Sequence, residues 1–235
     1  MILSPGLLVI FVVFMILSSV VSWQLKSRFK KYSKVASFGN KTGRQVAEEM
    51  LYSNGIRNVQ VVSVRGTLSD HYNPSTRTVN LSPEVYNGRS VAAAAVAAHE
   101  CGHAVQHATE YSLLKLRTAL VPIQNVSGKI LNAIFIAMFF GVFVIHGLFS
   151  YDLALQIIIA CYAVLTAFAF ITLPVEIDAS KRALVYLKAS GTTEVDTHGY
   201  AKDALKWAAY TYLVAALSSL ATLLYFLMLL LGRRN

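Results

Sequence analysis

The sequence predicts a predominantly α multi-pass membrane protein, with about four transmembrane helices and a cytoplasmic α+β domain. Three observations carry this. Hydrophobic residues make up 55% of the chain and charged ones only 14%, too few polar groups for a soluble globule. Four apolar runs, residues 7–23, 130–149, 153–173 and 207–231, are long enough for the roughly 17–25 residues of a membrane-crossing helix. Residues 26–125, by contrast, mix helical and strand-like periodicities of soluble character.

Each run reads as a plain span. The last three contain no Asp, Glu, Lys or Arg. The first has no basic residue before its apolar core and no small-residue cleavage site, so it reads as an uncleaved anchor and not a signal peptide. Orientation follows from charge. Of 21 Lys and Arg residues, 14 lie between Lys26 and Lys129 and five between Lys181 and Lys206, while the turn HGLFSYD at 146–152 has none. By the positive-inside rule the first long segment and residues 174–206 are cytoplasmic, and the short turn lies outside. The tail GRRN is then outside too, outvoted by 19 charges. Topology and anionic lipid account for the net charge of +9, and no nucleic-acid partner is needed. The expected organisation is an anchor at 1–25, a cytoplasmic domain at 26–125, a transmembrane hairpin at 126–173, a second cytoplasmic segment at 174–206 and a last span at 207–235.

Within the first cytoplasmic domain, TGRQVAEEMLYSNG places Val46, Met50 and Leu51 at helical spacing and stops at Asn54-Gly55. Two strand-like runs follow, VQVVSV (59–64) and TRTVNL (76–81), separated by the turn-rich GTLSDHYNPS. A helix capped by Ser90 then runs through an alanine series to about His107. The expected order is helix, strand, strand, helix.

That last helix carries HECGH, residues 99–103. At about 100° per residue, His99 and His103 stack on one face and can reach one metal ion. Glu100 sits beside them, placed to take a proton from an activated water instead of binding metal. Catalytic zinc takes three protein ligands. His107 is a further turn along and about 80° from His99, and no glycine turn brings it back, so it is structural or supporting. Glu176 is the better third ligand. It lies just past the third span, in LPVEIDASKRAL, where Pro174 is expected to open a new helix. Asp178, two residues on, faces elsewhere. Between His103 and Glu176 the chain crosses the membrane twice, and an even number of crossings returns it to the same face.

These residues resemble a family, the YugP-like neutral zinc metallopeptidases of bacterial membranes. The resemblance rests on TGRQVAEEML, GTLSDHYNPSTRTVNLSPEVY, VAAAAVAAHECGHAVQHATEYSLLKLR and LPVEIDASKRAL, and covers residues 37–230. It implies a zincin-like peptidase domain using Zn2+, with His99 and His103 as ligands and Glu100 as base. Glu176 looks like the third ligand of the broader membrane gluzincins, whose late motif runs E-F-x-A-D. Here it reads EIDAS, with Ser180 where those proteins place an aspartate that orients a ligand histidine. Asp178 is expected to supply that acceptor instead.

The expected activity is hydrolysis of peptide bonds in peptides or membrane proteins, at the cytoplasmic face of the cell membrane and near the lipid surface. For the developing oxyanion, His71 is the first candidate, because SDHYNP belongs to the resemblance; Tyr72, His198 and Arg182 are others. Strand 76–81 reads first as an ordinary core or edge strand; the other reading is a free edge offered to a substrate peptide. Cys101 is turned off the metal face and Cys161 lies in a span, so no disulfide framework is expected. A transporter would show ionisable groups within its spans, which are nearly bare. An intramembrane protease would carry its motif inside a span, yet Arg89 stands ten residues before His99. The remaining rival is a non-catalytic, zinc-stabilised membrane scaffold.

Overall fold

The computed structural model describes residues 5–140 and 151–232. The elements are α1 (Pro5–Tyr32), α2 (Gly43–Ser53), β1 (Gln60–Ser63), β2 (His71–Asn73), β3 (Thr78–Leu81), α3 (Pro83–Asn87), α4 (Val91–Ala108), α5 (Ser112–Phe140), α6 (Tyr151–Ala189) and α7 (Val195–Leu231). They form two compact units, one of residues 5–19, 116–140, 151–173 and 212–232, the other of residues 20–115 and 174–211.

Four helices are long and apolar enough to cross a membrane: Pro5–Tyr32, Ser112–Met138, Asp152–Ala189 and Val195–Leu231. The first unit packs Leu131 of α5, Leu155, Ile158 and Cys161 of α6, and Phe226 of α7 into one cluster. Among the described residues its buried polar side chains are hydroxyls, and Thr172 and Thr222 return theirs to the carbonyls of Phe168 and Ser218 at 2.8 Å. Such back-bonding lets a hydroxyl sit in an apolar environment.

Two expectations change here. Pro174 does not open a helix; it lies inside α6. A proline forfeits one backbone hydrogen bond, whereas ending the helix there would leave several backbone groups unsatisfied at the edge of an apolar run. Likewise α5 begins at Ser112 and α7 at Val195, because helical propensity continues past the ends of the apolar runs. Residues 141–149 of the expected second span, residues 146–150 of the expected outer turn and Arg233, Arg234 and Asn235 lie outside the described residues.

In the second unit α2 begins with a reciprocal cap between Thr42 and Gln45 and ends at Asn54, followed by Gly55 at φ 72°. The sheet has order β1-β3-β2, with β1 parallel and β2 antiparallel to β3. The third strand, β2, falls inside the segment expected to be only a turn. Asn73 caps the intervening turn by accepting from Ser75 N–H at 2.9 Å, and Arg77 adopts φ 53°, so the chain reverses and His71–Asn73 pairs with Thr78–Asn80. Strand 76–81 is therefore the ordinary core strand of its first reading, and the free-edge reading fails. β3 is central, and its Val79 and Leu81 are fully buried; the edge beside α4 is β2.

Ser90 caps α4 by accepting from Ala93 N–H at 3.2 Å. The alanines beyond it are buried. Small side chains let neighbours approach on every side, which puts α4 at the centre of the core with Val46 and Met50 of α2, Leu81 of β3 and Leu187 of α6.

Candidate metal centre

His99 and His103 lie one helical turn apart on α4, with ring centroids 4.9 Å apart. Glu176 projects from α6 and is 2% exposed. Its Oε2 lies 3.3 Å from His99 Nε2 and 3.4 Å from His103 Nε2, and one ligand atom from each residue lies within 4.8 Å of the other two. What permits this is Gly102. A Cβ built there would sit 2.5 Å from the carbonyl oxygen of Ala179, so the backbones of α4 and α6 touch between the histidine pair and the carboxylate.

The donors fit zinc. Tetrahedral coordination at about 2.0–2.1 Å separates neighbouring donor atoms by about 3.3–3.4 Å, the spacing seen between the carboxylate oxygen and each imidazole nitrogen. Two imidazoles and one carboxylate are also a donor set of catalytic zinc. Burial lowers the affinity of His103 for a proton, but hydrogen bonding to Glu176, the charges of Glu176 and Glu100 and the Gln106 contact outweigh it. The net effect is a pKa raised from 6.5.

Glu100 is buried but lies outside the group of three. Its Oε2 accepts the backbone N–H of Tyr72 at 3.0 Å, so edge strand β2 holds the carboxylate at the metal group's flank.

The histidines' other nitrogens have different partners. His99 Nδ1 lies 3.1 Å from Ser180 Oγ. His103 Nδ1 lies 3.0 Å from Gln106 Oε1, while Gln106 Nε2 donates at 2.8 Å to both the Val175 carbonyl and Asp178 Oδ2. Arg182 Nε in turn donates to Asp178 at 2.6 Å. Asp178 thus does not take over from Ser180 at His99. It lies two residues past Glu176 on α6, about 200° round the helix, and meets Gln106 instead. Gln106 went unnoticed in the sequence, although its position three residues after His103 is a one-face spacing on a helix.

The remaining candidates lie outside the group of three. His71 is exposed, with Nδ1 2.8 Å from the Ser69 carbonyl. Tyr72 Oη lies 2.8 Å from His107 Nδ1, which gives His107 a supporting contact. His198 meets Thr193, and Arg182 lies over the Tyr111 ring. Cys101 is fully buried with Sγ 3.5 Å from the Ala47 carbonyl, and burial pushes its thiol well above its usual pKa.

The profile of the family described as "Putative neutral zinc metallopeptidase" matches residues 7–231. A similar protein is the "Putative membrane protease YugP" of Bacillus subtilis (strain 168), 40% identical over 220 residues, covering 93% of this chain and 94% of the relative. No solved structure matches. With the match running through α4 and α6 together, the chain belongs to this neutral zinc metallopeptidase family, whose metal is the one that the His99, His103 and Glu176 donors fit.

Proposed function

We propose that the protein is a membrane-bound zinc endopeptidase in which His99, His103 and Glu176 would hold the metal and Glu100 is the general base. The observation that carries this is the division of labour between two buried carboxylates. Glu176 joins both imidazole Nε2 atoms, while Glu100, next to His99 in sequence, stays out of the group and is held by a backbone amide.

When bound, zinc supplies Lewis acidity, which acidifies water and polarises a carbonyl. Glu100 does the proton work. Hydrolysis places the water oxygen on the carbonyl carbon as the C–N bond breaks; one water proton passes to the Glu100 carboxylate and from there to the departing nitrogen. The Tyr72 amide leaves Glu100's second oxygen to do this. His71, on the same edge strand as Tyr72, is proposed as a donor to the developing oxyanion. His71→Ala should lower turnover with zinc content unchanged; loss of zinc or of folding removes that role.

The site is proposed to face the cytoplasm, supported by the bias of 18 of 21 basic residues to residues 26–125 and 174–206, which carry it. Glu176 follows the apolar run 153–173 by three residues, which favours membrane proteins or their exposed tails as substrates.

Glu100→Gln tests the proposal. Zinc content should stay at one per chain while cleavage by the purified protein in detergent falls at least about 10²-fold. Undiminished cleavage contradicts the mechanism. Zinc without any cleavage by the unaltered chain, and no cellular effect of Glu100→Gln, selects the scaffold reading.

A further inference from the structure

Both ligand histidines present Nε2 to Glu176, so each must keep its proton on Nδ1 to offer a lone pair to a metal. Their supports differ in whether they can enforce this. Ser180 Oγ, beside His99 Nδ1, is both donor and acceptor, and a hydroxyl rotates to suit either tautomer. Gln106 has no such freedom. Its amide lies between three groups: the Val175 carbonyl, the Asp178 carboxylate and His103 Nδ1. The first two are acceptors only. The NH2 end must therefore face them, and the carbonyl end must face His103. A carbonyl oxygen accepts and never donates, so His103 Nδ1 must carry the proton. Gln106 is fully buried, so no bulk water competes for its orientation.

We infer that Gln106 is a positioning residue through which Asp178 of α6 sets the tautomer and ring orientation of His103. The inference rests on the proposed metal centre. It also explains a spacing. Val175, Asp178 and Arg182 follow one another at i, i+3 and i+7 along one face of α6, so a carbonyl, a carboxylate and a guanidinium line up behind the amide. Arg182 Nε donates to Asp178, which holds that carboxylate against Gln106. The carboxylate that the family resemblance expects at position 180, in contact with a histidine, is replaced at this site by a carboxylate acting on the other histidine across an amide.

The experiment measures zinc affinity by chelator competition, and the visible spectrum of the cobalt(II) form, on the full chain in detergent. The variants are Gln106→Met, Asp178→Ala, Asp178→Asn, Ser180→Ala and the doubles with Gln106→Met. Gln106→Met and Asp178→Ala should each weaken zinc about 10–100-fold, the usual effect of losing an outer partner of a metal-bound histidine. Their double should be no worse than Gln106→Met alone, since both act through one amide. Ser180→Ala supports the other histidine, so its loss should multiply with that of Gln106→Met. Asp178→Asn keeps an acceptor for the amide and should restore affinity close to that of the unaltered chain. The cobalt band should shift in Gln106→Met and in Asp178→Ala but stay at its unaltered position in Asp178→Asn, a pattern that a packing defect would not give.

Unaltered zinc affinity in Gln106→Met, or losses at 106 and 178 that multiply, overturn the relay while leaving the metal centre standing. An unaltered chain that holds no zinc overturns both. Should Gln106→Met fail to fold, the pair at partly exposed Asp178 decides alone: Asn close to the unaltered chain with Ala weaker supports the relay, and equal affinities overturn it.

Discussion

The two units of this protein both bury hydroxyls but differ in buried charge. Among the described residues, the unit built on residues 116–140, 151–173 and 212–232 buries polar side chains only as hydroxyls, at Ser127, Thr166, Thr172 and Thr222. The other unit also buries hydroxyls and Asn80, but its buried charged or chargeable polar residues, Glu100, His103 and Glu176, gather at one place with Gln106. Buried charge is costly unless paired, so its concentration at one point of a small core is a cost that the fold carries at the candidate metal centre. Among the described residues, the first unit buries no such charged group.

The sharpest way to break this comparison uses one glycine from each unit. Gly102→Ala forces a methyl against the Ala179 carbonyl, so α4 and α6 must part. It should cost about 1–3 kcal/mol, as overpacking does, and it should take zinc binding with it. Gly128 of α5 has nothing within 4 Å of an added Cβ, and Gly128→Ala should be tolerated. Melting temperature and zinc content of the two variants decide the matter; equal behaviour would remove the claimed close approach.

Proton competition is the next largest effect. Zinc requires neutral His103, whose pKa in the metal-free chain is raised above 6.5. Affinity should therefore fall as pH drops through that raised value, by up to about tenfold per pH unit for one displaced proton. The metal-free chain behaves in reverse. A group raised on folding contributes fully below its unfolded value of 6.5 and loses that contribution as pH climbs through the folded one. Chelator competition and melting curves on either side of neutrality should slope in opposite directions.

Smaller effects sharpen the contrast. Ser90→Ala removes the α4 cap and should cost about 1 kcal/mol. Thr166, in the hydroxyl-only unit, has a buried Oγ1 with no hydrogen-bond partner among the described residues. Thr166→Val should be neutral or slightly stabilising, within about 0.5 kcal/mol. A substantial loss there would mean that the first unit depends on polar pairing after all.

Much of the site could be read from the sequence because its geometry is local. Four-residue spacing stacks His99 on His103 in any helix, Ser90 and Thr42 announce helix starts, and counting spans brings Glu176 back to the histidines' side of the chain. What escaped depends on partners far along the chain. Gln106 acquires its role only from Val175 and Asp178, Gly102 only from Ala179, and β2 only from β3, since three residues of HYN have no periodicity of their own. Pro174 misled for a related reason: a proline reads as a helix start when the cost of ending the preceding helix is left out.

The central claim is that α4 and α6 jointly hold one zinc ion, and anomalous scattering at the zinc edge from crystals of the zinc-loaded chain tests it most directly. The account predicts a single peak within about 2.0–2.2 Å of His99 Nε2, His103 Nε2 and a Glu176 oxygen, with Glu100 further away. A peak coordinated by Glu100 in place of Glu176, or none beside the histidine pair, would contradict it.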